Sequence, residues 1–199
     1  GSAAGAGAEA GGGEATGGDG TGGEATGGSS SGGAGSEPTP THMPTPTATC
    51  PTLESGMVSF LGSEVSLTVG QSGVAGPLLF YWHATGMTYT EVSTGFGDFM
   101  DEVESSGGVV ASFTSTTRDG SNTGNAVWYT GDFAIADEVL ACALEQGLVD
   151  PRRVHVSGYS AGGLQCGVMA RARSGYVASV LCMSGGLVQA LSFTLDMQS

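Results

Sequence analysis

Val154–Gly163 reads VHVSGYSAGG. An apolar, β-branched run ends on Gly158-Tyr159-Ser160-Ala161-Gly162, and a helix-length run, LQCGVMARAR, follows from Leu164 to Arg173. The pattern predicts a strand over Arg153–Ser157 and a helix over Ala161–Arg173. A serine at that switch sits on a tight, strained turn with its hydroxyl raised above the end of a sheet. Bulky neighbours would strike the strand or the helix, which is why Gly158, Gly162 and small Ala161 matter there. Ser160 is therefore a candidate nucleophile. The Ala161 amide points into such a site, and the helix N-terminus adds partial positive charge, so both suit a developing oxyanion. The plain alternative is a glycine-rich turn with no chemistry.

Working outward, the rest of the chain alternates strand and helix. Met57–Phe60 and Val65–Val69 flank Leu61-Gly62-Ser63-Glu64, a hairpin signal. Pro77–His83, PLLFYWH, is a continuous apolar run of the kind buried in parallel sheets. Phe99–Glu104 is predicted helical, Val109–Phe113 a strand, and the polar stretch Thr114–Gly131 a long loop. Phe133–Gln146 is a helix by the spacing of Ile135, Val139, Cys142 and Ala143, with Asp132 as N-cap and Gly147 as C-cap. Val177–Met183 is a last strand. The expected class is α/β: a mostly parallel sheet with helices on both faces and an antiparallel hairpin at its start.

The first 49 residues have another texture. Residues 1–36 are Gly, Ala, Ser and Thr with scattered Glu, and GGEATGG occurs at Gly12–Gly18 and again at Gly22–Gly28. Such a segment cannot bury enough apolar surface to offset chain entropy and is expected to be a flexible coil. Residues 37–49, EPTPTHMPTPTAT, are expected to be a stiffer extended spacer. The organisation read from sequence is thus a tether over 1–49 and a domain over 50–199. The tether reading competes with an expression linker.

The chain has five arginines, no lysine and a net charge of −14. That balance repels phosphate backbones and anionic lipid, so nucleic acid is not an expected partner. Val65–Thr90 and Ser174–Leu195 lack acids and arginines, but Gly, Pro, Ser and Gln interrupt both, so no membrane span is expected. No signal peptide is visible. Cys50, Cys142, Cys166 and Cys182 show no zinc-like spacing, and no metal or cofactor is expected. They are either buried small apolar residues or one or two disulfides of an oxidising compartment, with Cys142 the favoured partner for Cys50.

Three stretches carry a resemblance: DPRRVHVSGYSAGG (150–163), PLLFYWHATG (77–86) and NTGNAVWYTGDF (122–133). Through them, residues 55–190 resemble the α/β-hydrolase superfamily, and within it secreted polyhydroxybutyrate-depolymerase-like and feruloyl- or acetylxylan-esterase-like enzymes. The resemblance implies that Ser160 is the nucleophile of a carboxylester hydrolase. It implies Ala161 as one oxyanion donor, with Thr85 or Ala84 as the second. Ala84 stands where that family has glycine, so a positive φ there would strain it. Trp128 and Tyr129 are candidate pocket residues. Asp132 and Asp137 read as a cap and a solvated helix face.

A serine nucleophile needs a base. His42 lies in the spacer, His155 lies down the strand from Ser160, and His83 belongs to the oxyanion loop, which the resemblance has it orient. The superfamily orders its triad Ser, acid, His. After Ser160 there is one acid, Asp196, and no histidine. The expectation is an incomplete hydrolase domain whose acid and base lie on further strands, inactive alone and prone to aggregate at the uncovered edge. The expected substrates are polymer-linked or plant-wall esters outside the cell, with the enzyme secreted, periplasmic or held at the surface. The alternatives are a serine peptidase of the same fold, disfavoured because no large module stands upstream, and a non-catalytic binding module built on a hydrolase remnant.

Overall fold

The computed structural model describes residues 39–114, 116 and 128–185. These form β1 (Gly56–Phe60), β2 (Ser63–Val69), β3 (Gly76–Trp82), α1 (Glu91–Ser105), β4 (Val109–Phe113), a 3-10 turn at Thr130–Asp132, α2 (Phe133–Glu145), β5 (Val149–Tyr159), α3 (Ala161–Ala172) and β6 (Ser179–Met183). One sheet has the order β1-β2-β4-β3-β5-β6. β2 pairs antiparallel with β1 and β4; the β3–β4, β3–β5 and β5–β6 pairs are parallel. This is the expected mostly parallel sheet opened by an antiparallel hairpin.

β3 is buried along its whole length, as its unbroken apolar run demands. Its alternate residues face opposite layers. Leu78, Phe80 and Trp82 join Ile135, Val139 and Leu140 of α2 and Met169 of α3 in the larger core. Leu79 and Tyr81 pack with Val92 and Val103 of α1 on the other side. The Trp82 ring stacks on Phe113 with centroids 3.7 Å apart. Each such fully buried side chain contributes about 1.5–3 kcal/mol.

Boundaries differ from expectation in two places. α1 begins at Glu91, not Phe99, and bends at Phe96, where φ is −132° and ψ is 24°. Glycines on either side of Phe96 dilute the helical pattern of its first half. β5 begins at Val149, four residues early, because its charged start still pairs with Gly76 before an irregularity in register. α2 ends at Glu145 with Gln146, not Gly147, as its C-cap; Gly147 follows at φ 69°, and the Gly147 and Leu148 amides bond to the Leu144 and Ala143 carbonyls. Asp132 occupies the N-cap position without capping α2. Its carboxylate instead accepts the Tyr129 amide (3.0 Å) and the Thr116 hydroxyl (3.2 Å), ordering the turn before the helix.

All four cysteines are paired, Cys50 with Cys142 and Cys166 with Cys182. The Pro/Thr stretch, expected as a free spacer, lies against the domain. The Thr41 amide donates to the Gly175 carbonyl at 2.9 Å. The amide and hydroxyl of Thr47 and the amide of Ala48 donate to the buried Glu138 carboxylate at 2.9, 2.7 and 3.0 Å. A buried carboxylate needs donors, and the non-proline amides of this segment supply them. The repeats at 12–18 and 22–28 lie outside the described residues. Among the described residues, no helix is long and apolar enough to cross a membrane.

Candidate active site

Ser160 closes β5 and precedes α3 with φ 51° and ψ −111°. A non-glycine residue in that region costs about 1–3 kcal/mol and persists only where its surroundings over-determine it. The surroundings here are backbone. A Cβ on Gly162 would collide with the Trp82 carbonyl, and one on Gly158 would collide with the Gly162 carbonyl. Only glycine lets α3 approach β3 this closely. The Ser160 amide donates to the Met183 carbonyl at 2.9 Å, and its own carbonyl accepts the Leu164 amide at 3.0 Å. Its side chain is half-exposed, and among the described residues the hydroxyl has no hydrogen-bond partner. Ala161 heads α3, so the helix ladder does not use its amide.

Trp82 pairs in register with Gly158, so the loop that follows β3 runs beside this turn. Both sit at the carboxyl ends of parallel strands, where open α/β sheets bind ligands. The loop is closed by the Met87 amide on the Ala84 carbonyl at 3.0 Å, with Gly86 at φ 77°. The positive φ thus falls on Gly86, and Ala84 carries no such strain. Of the two amides the resemblance offered for the oxyanion, that of Ala84 is engaged within the loop. Its amide donates to the Glu91 carboxylate at 2.9 Å, and the same oxygen accepts the Tyr81 hydroxyl at 2.9 Å. Thr85 remains the candidate amide of this loop. Burial, and then the Glu91 carboxylate, push the Tyr81 phenol far above its ordinary pKa. Glu91 was missed in the sequence; its only signal is an acid in the first turn of a helix whose start was hidden.

His83 is fully buried, with Nδ1 2.9 Å from the Ala84 carbonyl and Nε2 3.2 Å from that of Thr114. Both ring nitrogens are engaged by the backbone, which suits loop support and not proton transfer from a serine. Trp128 is buried, its Nε1 donates to the His83 carbonyl at 2.8 Å, and its ring meets Trp82 and His83 edge-on at 5.1 and 4.9 Å. It props the loop from within the core. Tyr129 is half-exposed, and its carbonyl accepts Nε2 of buried Gln165 at 2.8 Å, a second contact missed in the sequence.

His155 bonds to the Ser179 hydroxyl at 2.8 Å and lies five residues down β5, roughly 16 Å from Ser160 at strand rise. Burial, and then Arg153, lower its pKa. His42 is exposed beside Gly175, past the far end of α3, about 18 Å from the turn at helical rise. Among the described residues, no hydrogen bond joins a histidine to Ser160. Asp137, expected on a solvated face, instead takes a two-pronged bond from Arg173 (2.9 and 2.8 Å) and one from the Tyr176 hydroxyl (2.6 Å), tying α2 to the end of α3. Asp196 lies outside the described residues. Among the described residues, no cluster of His, Cys, Asp or Glu could hold a metal ion.

No protein-family model and no curated protein matches the chain. Among solved structures it is similar to a pOPH variant in complex with pNPB, at 13% identity and a TM-score of 0.53 over 69% of this chain and 53% of that one. It is similar to native sOPH at 16% identity and a TM-score of 0.52, over 72% of this chain and 54% of that one. An acetyl xylan esterase from Aspergillus awamori aligns at 18% identity and a TM-score of 0.45, over 62% of this chain and 49% of that one. The chain has the α/β-hydrolase fold, and it spans about half the length of the solved structures it matches.

Proposed function

We propose that this chain carries the nucleophile and part of the oxyanion site of a serine carboxylester hydrolase. The observation that supports this best is the left-handed backbone of Ser160 between two glycines that pack against the neighbouring strand. In this reading the Ser160 hydroxyl attacks the ester carbonyl and loses its proton to a histidine, the base that the sequence resemblance implies. The amides of Ala161 and Thr85 hold the tetrahedral oxyanion. The protonated histidine then donates to the departing alcohol, and water, activated by the same base, releases the acid from the acyl-enzyme. No step needs a metal or cofactor.

The sequence resemblance supports polymer-linked or plant-wall esters as substrates, and two disulfides support an oxidising compartment, secreted or at the cell surface. A second reading, a non-catalytic module on a hydrolase scaffold, is favoured by His155 lying roughly 16 Å down β5 from Ser160 and by the backbone contacts of both His83 ring nitrogens. p-Nitrophenyl acetate turnover separates the two. The protein should hydrolyse it, and Ser160→Ala should abolish the activity. Turnover unchanged by Ser160→Ala would refute the esterase reading.

A further inference from the structure

The amide of Ser160 is held by a carbonyl on the least protected strand of the sheet. β6 pairs only with β5 among the described residues, and its Val180 and Leu181 are 46% and 52% exposed. Strands of this kind open most readily. Yet the end of β6 is pressed onto the first turn of α3: a Cβ on Gly163 would collide with the Met183 carbonyl and lie 3.0 Å from Gly185. The residue before Met183 is Cys182, and its disulfide partner Cys166 sits on α3 six residues after Ser160. One covalent link therefore joins the helix that Ser160 starts to the strand end that holds the Ser160 amide.

We propose that the Cys166–Cys182 disulfide positions Ser160 by clamping the Met183 carbonyl against the start of α3; the proposal rests on Ser160 being the nucleophile. The bridge closes a short stretch, with a sequence separation of 16, against 92 for Cys50–Cys142. In the chain-entropy account the longer closure constrains the unfolded chain more. Cys142 lies near the end of α2, just before β5 begins, whereas Ser160 follows the last residue of that 11-residue strand. The two bridges thus divide the work. Cys50–Cys142 secures the fold, and Cys166–Cys182 secures the turn.

The test compares Cys166→Val/Cys182→Ala, which refills the buried Cys166 site, with Cys50→Ala/Cys142→Ala. Two quantities are read: hydrogen exchange at the Ser160 and Leu164 amides, and phosphonylation of Ser160 by a fluorophosphonate, in which fluoride leaves. The first variant should speed exchange at both amides by about tenfold or more relative to Val156. It should lower the limiting phosphonylation rate by about tenfold without changing the half-saturating probe concentration. The second variant should lower the melting temperature more and leave both site readings as in the parent. Should the first variant not fold, Cys182→Ser, which keeps Cys166 in place, carries the same comparison. Equal effects of the two bridges on Ser160, or none from the Cys166–Cys182 variant, would overturn the proposal. A parent that takes no label refutes the nucleophile reading, while amide exchange still decides the clamp.

Discussion

The amide of Ala84 donates to the carboxylate of Glu91 over 2.9 Å, and this bond ties the loop after β3 to the first turn of α1. The same carboxylate oxygen takes the Tyr81 hydroxyl, so one side chain satisfies two donors beside the candidate site. Glu91→Ala should destabilise the domain by about 2 kcal/mol, the scale for losing hydrogen bonds to a charged acceptor. Glu91→Gln keeps an acceptor and should cost less than half of that. Urea unfolding midpoints measure both, and a parental midpoint for Glu91→Ala would show that the loop is not held this way.

Gly162→Ala should be the most damaging single-methyl change in the domain. The added carbon meets the Trp82 carbonyl, a backbone atom in the middle of the sheet that cannot step aside. The cost should exceed about 3 kcal/mol. Gly97→Ala makes the opposite prediction. Its Cβ would enter open space on α1, and alanine should stabilise that helix by about 0.5–1 kcal/mol. Thermal melts of the two variants should move in opposite directions. Similar melts would show that the close approach of α3 to β3 is not formed.

Much of this architecture was legible because its signals are local. The unbroken run of β3, the Leu61–Gly62 turn and the apolar spacing of α2 each require only neighbours in sequence. The Ser160 turn was legible for the same reason: Gly158 and Gly162 announce a close backbone approach. What could not be read depends on partners far along the chain. Glu91 meets Ala84 only after the loop folds back, Asp137 meets Arg173 only when α2 and α3 pack, and Trp128 meets the His83 carbonyl only when the two loops come together. The Pro/Thr segment was misread because nothing in it announces that Glu138, about ninety residues later, will need its amides.

That contact should be pH-sensitive. Burial raises the Glu138 carboxyl, but the bonds from Thr47 and Ala48 outweigh it and hold the pKa below its ordinary value. A carboxyl depressed in the folded state contributes stability above its unfolded pKa, about 4.3, and loses it as pH falls through the lower folded value. Exchange protection at the Thr47 and Ala48 amides should therefore persist at neutral pH and collapse in acid below that range. Glu138→Gln should lower the protection at neutral pH and flatten its dependence. An identical pH profile in Glu138→Gln would contradict the assignment.

The Cys50–Cys142 bridge should contribute about 4–5 kcal/mol, the chain-entropy value for closing a loop of this size. Cys50→Ala/Cys142→Ala should melt well below the parent under oxidising conditions. A difference under about 1 kcal/mol in urea would show that the bridge constrains neither state as that account requires.

The central claim concerns the Ser160 hydroxyl, and mass spectrometry after fluorophosphonate treatment tests it most directly. A single adduct should form on the peptide containing Ser160 and vanish in Ser160→Ala. A folded product that takes no label, or takes it at another residue, would contradict the account.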